Sequence, residues 1–142
     1  MNGSSSDVVS IPLVRSPLVV CATDGAFGRR RTIALTTVAE RAQVGFPPGW
    51  GVTTLVDRVL RSVGIEPRVD LEVNDTDTLL DLVEAVVGIA IIPEAIAQLR
   101  PSLDRLAITD GKWQWTVGAQ VLAPAPANPA ARALWTMLTT AQ

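Results

Sequence analysis

The sequence contains no histidine. That absence removes the commonest general base, the commonest metal ligand and every Ser–His or Cys–His nucleophile pairing. An enzyme working through carboxylates alone stays conceivable. Its only candidate pair at one sheet edge is Asp75 with Asp77, and favourable placement at the positive end of a helix dipole explains that pair more simply. Cysteine is nearly absent too. Cys21 stands alone, so no intrachain disulfide can form and a reducing compartment is expected. It lies in the apolar run Leu18-Val19-Val20-Cys21-Ala22, where it reads as a small buried hydrophobe with no sequence neighbour to lower its pKa.

Charge is also scarce: charged residues make up 18% of the chain and the net charge is −2. A phosphate-binding face needs clustered Lys and Arg. The one tight basic run, Arg29-Arg30-Arg31, lacks interleaved aromatics and reads as a solvated loop, so no direct nucleic-acid binding is expected. The start of the chain, Met1 to Asp7, has neither the basic opening nor the apolar core of a secretion signal, and no apolar run approaches membrane-spanning length. The expectation is a soluble, cytoplasmic protein without a membrane partner. The glycine-rich tracts match neither a phosphate-cradling loop nor a dinucleotide fingerprint, and no metal or cofactor is expected.

What is present is a core. With 142 residues and 48% hydrophobic content, the chain is globular and of single-domain size. Residues 1–7 read as a flexible tail. Val8–Leu13 and Pro17–Ala22 read as apolar strand segments, and residues 23–35 as a loop. Thr37-Val38-Ala39-Glu40 has the spacing of a capping box and predicts a short helix beginning there and ending before Val44. Val44–Phe46 predicts a short strand. The spacing of Leu55, Val56, Val59, Leu60 and Val63 then predicts a helix over 50–63, stopped at Gly64. Alternation over Arg68–Val73 predicts a strand with Val69, Leu71 and Val73 on one side. Asn74 to Asp77 supply caps for a helix whose apolar face holds Leu79, Leu80, Leu82, Val83 and Val86.

Gly88–Ile92 predicts a buried strand, followed by a short helix around Glu94–Leu99 and strands near Leu103–Ile108 and Trp113–Leu122. A proline-rich stretch at 123–129 reads as a linker, and residues 130–140 as an amphipathic helix with Ala131, Leu134, Trp135 and Leu138 on one side. The strand–helix rhythm argues for an α/β fold with parallel strands.

Ligands of such sheets bind at the carboxyl ends of strands, where loops lead into helix N-termini. Two junctions qualify. At Gly45-Phe46-Pro47-Pro48-Gly49-Trp50-Gly51 the glycines permit close ligand approach, the prolines stiffen the loop, and the N–H groups of the following helix suit an anion. At Val73-Asn74-Asp75-Thr76 an amide, a carboxylate and a hydroxyl meet at one sheet end. Asp75 would repel an anion there and favours a ligand that also carries a hydroxyl or amine. Simple turn chemistry at the first junction and plain helix capping at the second explain the same residues. Trp113, Trp115 and Trp135 read as packing residues rather than stacking platforms.

The series Gly45–Gly51, Glu72-Val73-Asn74-Asp75 through Leu82-Val83, and Gly88-Ile89-Ala90-Ile91-Ile92-Pro93 resembles LysR-type transcriptional regulators, in the C-terminal part of their effector-binding domain. The resemblance implies an α/β fold of the type 2 periplasmic-binding-protein kind, with a mostly parallel sheet flanked by helices. Residues 8–98 would be its second lobe and 99–142 a return segment that packs on the first. It implies a transcription-regulation role with a small effector, often an organic acid, held between lobes, and no catalysis. The implied effector wall is Phe46, Pro47, Pro48, Gly49 and Trp50 with Asn74, Asp75 and Thr76.

The family's helix-turn-helix, linker helix and most of its first lobe have no counterpart here. The expectation is therefore a truncated chain without autonomous DNA binding, self-associating or forming mixed oligomers with a full-length regulator. Without a first lobe, Trp113, Trp115, Leu134, Trp135 and Leu138 are expected to form an exposed apolar patch. Two local departures stand out. Asp24-Gly25-Ala26-Phe27 replaces an Asp-His-Pro-Leu-like turn, and Val86 stands where a glycine usually ends the helix.

Overall fold

A computed structural model describes residues 9–121 and 128–140. The expected tail at 1–7 and most of the expected linker at 123–129 fall outside them. The chain divides into two compact units, Ser16–Trp115 and Met1–Arg15 with Thr116–Gln142. In chain order the elements are β1 (Val9–Ala22), β2 (Thr32–Ile33), α1 (Leu35–Val38), β3 (Val44–Gly45), α2 (Gly51–Ser62), β4 (Leu71–Glu72), α3 (Thr76–Glu84), β5 (Ala90–Pro93), α4 (Glu94–Ala97), β6 (Asp104–Ile108), β7 (Gln114–Val121) and α5 (Pro129–Thr140).

Within Ser16–Trp115, β1 lies between β5 and β6 and is antiparallel to both. β2 pairs in parallel with β6, and β3 in parallel with β4. A parallel bridge between Gln43 and Ile89 joins β3 to the start of β5. Read across β4-β3-β5-β1-β6-β2, every strand but β1 points one way. The expected mostly parallel sheet is present. Its one reversed strand was invisible in the pattern, because an apolar run records burial and not direction.

That run is explained by burial on both faces. Leu18, Val20 and Ala22 pack with Ile33, Leu35, Val59, Leu60, Ile91 and Leu106. Val19 and Cys21 join Val44, Phe46, Leu79, Leu80, Val83, Ala90 and Ile92 on the other side. Thus α2 presses Val59 and Leu60 on one face of the sheet, and α3 presses Leu79, Leu80 and Val83 on the other.

Helix ends decide where the loops go. In α2, Gly64 has φ +79°, its N–H donates to the Arg61 carbonyl at 3.1 Å, and the Ile65 N–H reaches back to Leu60 at 2.9 Å. These are the two bonds of a Schellman stop, as the glycine predicted. The end of α3 has the same pair with the wrong residue. Val86 donates to Val83 at 3.1 Å and Val87 to Leu82 at 3.0 Å, and Val86 itself takes φ +64°. The helix end keeps the left-handed residue even though that residue is β-branched. Val86 is 70% exposed, so it leaves the apolar face expected for it.

Several expectations are corrected. α1 begins at Leu35, with Ala34 as its cap and Thr37 inside it. The capping box therefore does not form, and the Leu35 N–H instead donates to Asp110 Oδ1 at 3.0 Å, just past the end of the neighbouring β6. The loop expected at 23–35 contains β2, held by Ala107 and Ile108. β4 is shorter than predicted, and its residues are exposed on both sides. Just before it, Asp70 spends its carboxylate on the Gln43 N–H at 2.8 Å. Trp113 and Trp115 are half-buried against the core of Ser16–Trp115 and so do not join an exposed patch.

In the other unit, β7 pairs with β1 so closely that a Cβ at Gly118 would lie 2.6 Å from the Ile11 carbonyl oxygen. α5 starts on Asn128, whose Oδ1 accepts the N–H groups of Ala130 and Ala131 at 2.8 and 3.2 Å. Along α5, Leu134 and Met137 are exposed, whereas Trp135 and Leu138 are half-buried.

Candidate functional site

The chain leaves the sheet at Phe46, whose ring turns inward and is buried. Its carbonyl accepts the Thr53 hydroxyl at 3.1 Å, and its ring stacks on Trp50 with centroids 4.9 Å apart and planes inclined at 15°. Trp50 caps α2 by position but offers no side-chain hydrogen bond to its amides. Gly49 has φ +92°, a conformation that side chains rarely adopt, so a glycine is required here for the loop to turn back. The outcome is a short, stiff loop: Phe46 is the anchor, Pro48 and Gly49 are its exposed tip, and Trp50 is partly covered by the Phe46 ring.

The second junction is drawn alongside by one hydrogen bond, from the Val73 N–H to the Gly45 carbonyl at 2.9 Å. Together the two junctions form an open groove of about 370 Å³ lined by Pro47, Glu72, Val73, Asn74, Asp75 and Thr78. Asp75 is the N-cap of α3, with Oδ2 accepting the Thr78 N–H at 2.9 Å. Hydrogen bonds from Thr78, side chain first and then backbone, hold the Asp75 carboxyl below the usual carboxylate range. Asp75 and Asp77 thus both belong to the first turn of a helix, where negative charge is favoured.

Of the residues singled out from sequence, Pro47, Asn74 and Asp75 meet at this groove. Phe46 supports the loop from within. Pro48, Gly49 and Trp50 lie on the loop but outside the groove lining, and Thr76 is half-buried at the start of α3. Val73, part of the junction read from sequence, also lines the groove, whereas Glu72 and Thr78 were not singled out as site residues. Thr78 was findable, since it stands three residues beyond the cap Asp75. Glu72 was not, because only the pairing of Gly45 with Glu72 brings it to the groove.

The arrangement offers an amide at Asn74, carboxylates at Glu72 and Asp75, and a hydroxyl at Thr78. Hydroxyl groups on a ligand find acceptors here, and the uncapped start of α2, which leaves the same loop, suits an anionic group. Cys21 takes no part: it is fully buried, and burial pushes its thiol up to about 11. No group of three or more Cys, Asp or Glu side chains among the described residues is placed to hold a metal ion. No helix among them is long and apolar enough to cross a membrane.

The sequence model of the LysR substrate binding domain matches residues 1–142. The chain belongs to the LysR family.

Its fold agrees with solved members. The effector-binding domain of QuiR in complex with shikimate superposes with a TM-score of 0.81 at 21% identity, over 99% of this chain and 68% of that one. The regulatory domain of Synechocystis PCC6803 CcmR in complex with 2-PG gives 0.80 at 20% identity, over 95% and 67%. Full-length CbnR complexed with its target DNA gives 0.74 at 18% identity, over 95% of this chain and 46% of that one. Among curated relatives, a probable nitrogen assimilation transcriptional activator of Synechococcus elongatus is 28% identical over 92 residues, covering 65% of this chain and 30% of the relative. The LysR chain thus spans less than a third of that relative's length.

These likenesses identify a mixed α/β, periplasmic-binding-protein-like fold with helices flanking a sheet. The molecule is a LysR substrate-binding domain, and the curated relative it matches is a probable transcriptional activator rather than an enzyme.

Proposed function

We propose that the groove at Pro47, Asn74 and Asp75 is one wall of the effector site and that its ligand is a small hydroxylated organic acid. The supporting observation is the Val73–Gly45 hydrogen bond, which sets a polar helix cap beside a rigid Pro-Pro-Gly loop at the carboxyl ends of two parallel strands. Shikimate, named with QuiR, bears hydroxyls, for which Glu72, Asn74 and Asp75 are acceptors. It also bears a carboxylate, which must lie away from Glu72 and Asp75, toward the uncapped start of α2. Residues 8–98 act as the second lobe of the effector-binding domain, and 99–142 as the segment returning to the first. The domain works in the cytoplasm as a sensor and not as an enzyme. DNA contact in the protein to which it belongs is made by other residues.

A thermal-shift screen with shikimate and other small hydroxy acids tests this reading. A ligand at about one hundred times its Kd stabilises by about 2.7 kcal/mol, which corresponds to a rise in Tm of roughly 5–10 °C for a domain of this size. Asn74→Ala, at an exposed position, should abolish the shift while leaving the unliganded Tm in place. Absence of any shift across the panel would overturn the assignment.

A second reading rests on α5, which exposes Leu134 and Met137. In it, the chain forms mixed oligomers with a full-length regulator and blunts its DNA binding. Retention of a full-length LysR regulator on this chain, lost in Leu134→Lys/Met137→Lys, favours this reading; a monomer at all concentrations in light scattering excludes self-association.

A further inference from the structure

The basic side chains are not spread evenly. Arg29, Arg30 and Arg31 on the loop before β2, with Arg105 on β6, ring an open basin of about 500 Å³ that also includes Asp24 and Asp104. Four of the twelve Lys and Arg residues of an acidic chain therefore share one concave surface. None of these four guanidinium groups forms an ion pair among the described residues, whereas Arg61, Arg68 and Arg100 each do.

The run is also held in place. The Gly25 N–H donates to Asp104 Oδ2 at 2.9 Å, and the Arg31 carbonyl accepts the Ala107 N–H at 2.9 Å. Between these anchors Gly25 and Gly28 take φ of +79° and +67°, and the Gly28 N–H closes a turn on Gly25 at 3.0 Å. Both anchors tie the loop to β6, so the arginine rim is preorganised over that strand.

The basin is distinct from the effector groove. β1 ends where β6 begins, with Ala22 opposite Asp104. β6 runs in the same direction as β3 and β4, whose far ends carry Pro47 and Asn74. The basin and the groove therefore occupy opposite ends of the sheet.

We infer that this basin is a second ligand site, for a compact anion carrying phosphate groups. Guanidinium forks match phosphate oxygens bidentately, and the four cations of the basin are all arginine, outnumbering its two carboxylates. No aromatic side chain lines the basin, so it offers no platform for a stacked base. The net charge of −2 opposes a long polyanion, while a small one meets only the local positive field. Asp104, fixed by Gly25, and Asp24 accept hydrogen bonds from hydroxyls on the same ligand.

The test is calorimetric titration of the full chain with inorganic pyrophosphate at about 20 mM salt, where screening is weak. Saturable binding is expected. It should weaken by about tenfold or more in Arg29→Ala/Arg30→Ala/Arg105→Ala and stay unchanged in Arg61→Ala, with all variants melting together. Absence of saturable binding, or equal binding by the triple variant, overturns the proposal. Tighter binding of a short DNA duplex, lost in the same triple variant, overturns the choice of a compact ligand. Asn74→Ala should bind pyrophosphate normally, so failure here and failure of the effector reading are told apart.

Discussion

Replacing Val86 by glycine should stabilise the protein, although the change deletes a hydrophobic side chain. Val86 sits at φ +64°, where the Cβ of an L-residue crowds the following carbonyl at a cost of about 1–2 kcal/mol. Glycine removes that cost but returns roughly 0.5–1 kcal/mol through the greater freedom of the unfolded chain. The side chain is 70% exposed, so its deletion forfeits only about 0.5 kcal/mol of burial. These terms sum to between a loss of about 0.5 and a gain of about 1 kcal/mol. The net expectation for Val86→Gly is therefore a small gain, at most about 2–4 °C in Tm. Val87→Gly is the matched control: its φ is not positive, it is 45% exposed, and it should lose about 1 kcal/mol or more. Urea denaturation followed by circular dichroism reads both as shifts in midpoint at constant slope. If Val86→Gly falls with Val87→Gly, the left-handed strain assigned to Val86 is wrong.

Gly88→Ala should act in the opposite sense, losing about 1–3 kcal/mol in the same denaturation assay, because its Cβ would meet the Ala42 carbonyl oxygen at 2.9 Å. Asp70 and Asp75 have carboxyls held below the usual carboxylate range, chiefly by a hydrogen bond from the Gln43 backbone and by hydrogen bonds from Thr78 respectively. A depressed folded-state pKa stabilises above the ordinary value and loses its effect as pH falls through the lowered one. Asp70→Asn/Asp75→Asn should therefore melt below the parent at neutral pH, with the gap closing under about pH 4. Cys21, buried with its thiol near 11, should resist a disulfide reagent in the native protein and react once urea unfolds it. Rapid labelling of the native state would contradict the packing described.

The sequence made legible whatever was local. The Gly64 stop and the Asp75 cap each depend on residues within one turn, and both form as their residue types dictate. α1 was misplaced because its N-terminal partner comes from elsewhere, whereas α4 forms where expected although its distant partner was not visible. Asp110 supplies the Leu35 N–H partner, and Ser16 Oγ accepts the Ala95 N–H at 2.9 Å from 79 residues away. β2 escaped notice because two residues carry no periodicity, and only the edge of β6 makes them a strand. The same division holds at the groove. Asn74 and Asp75 are visible as polar residues before a helix, whereas Glu72 enters through strand register. The arginine run could be seen in the sequence, but not the fourth arginine beside it.

The Phe46–Trp50 stack gives the domain a built-in optical probe. Trp50 is 40% exposed and rests on the loop that borders the groove, while Trp113 and Trp115 pack on the core and contribute a steady background. With Trp113, Trp115 and Trp135 replaced by phenylalanine, the emission of Trp50 alone would follow the loop. Ligand arrival would then be timed in milliseconds without attaching a dye.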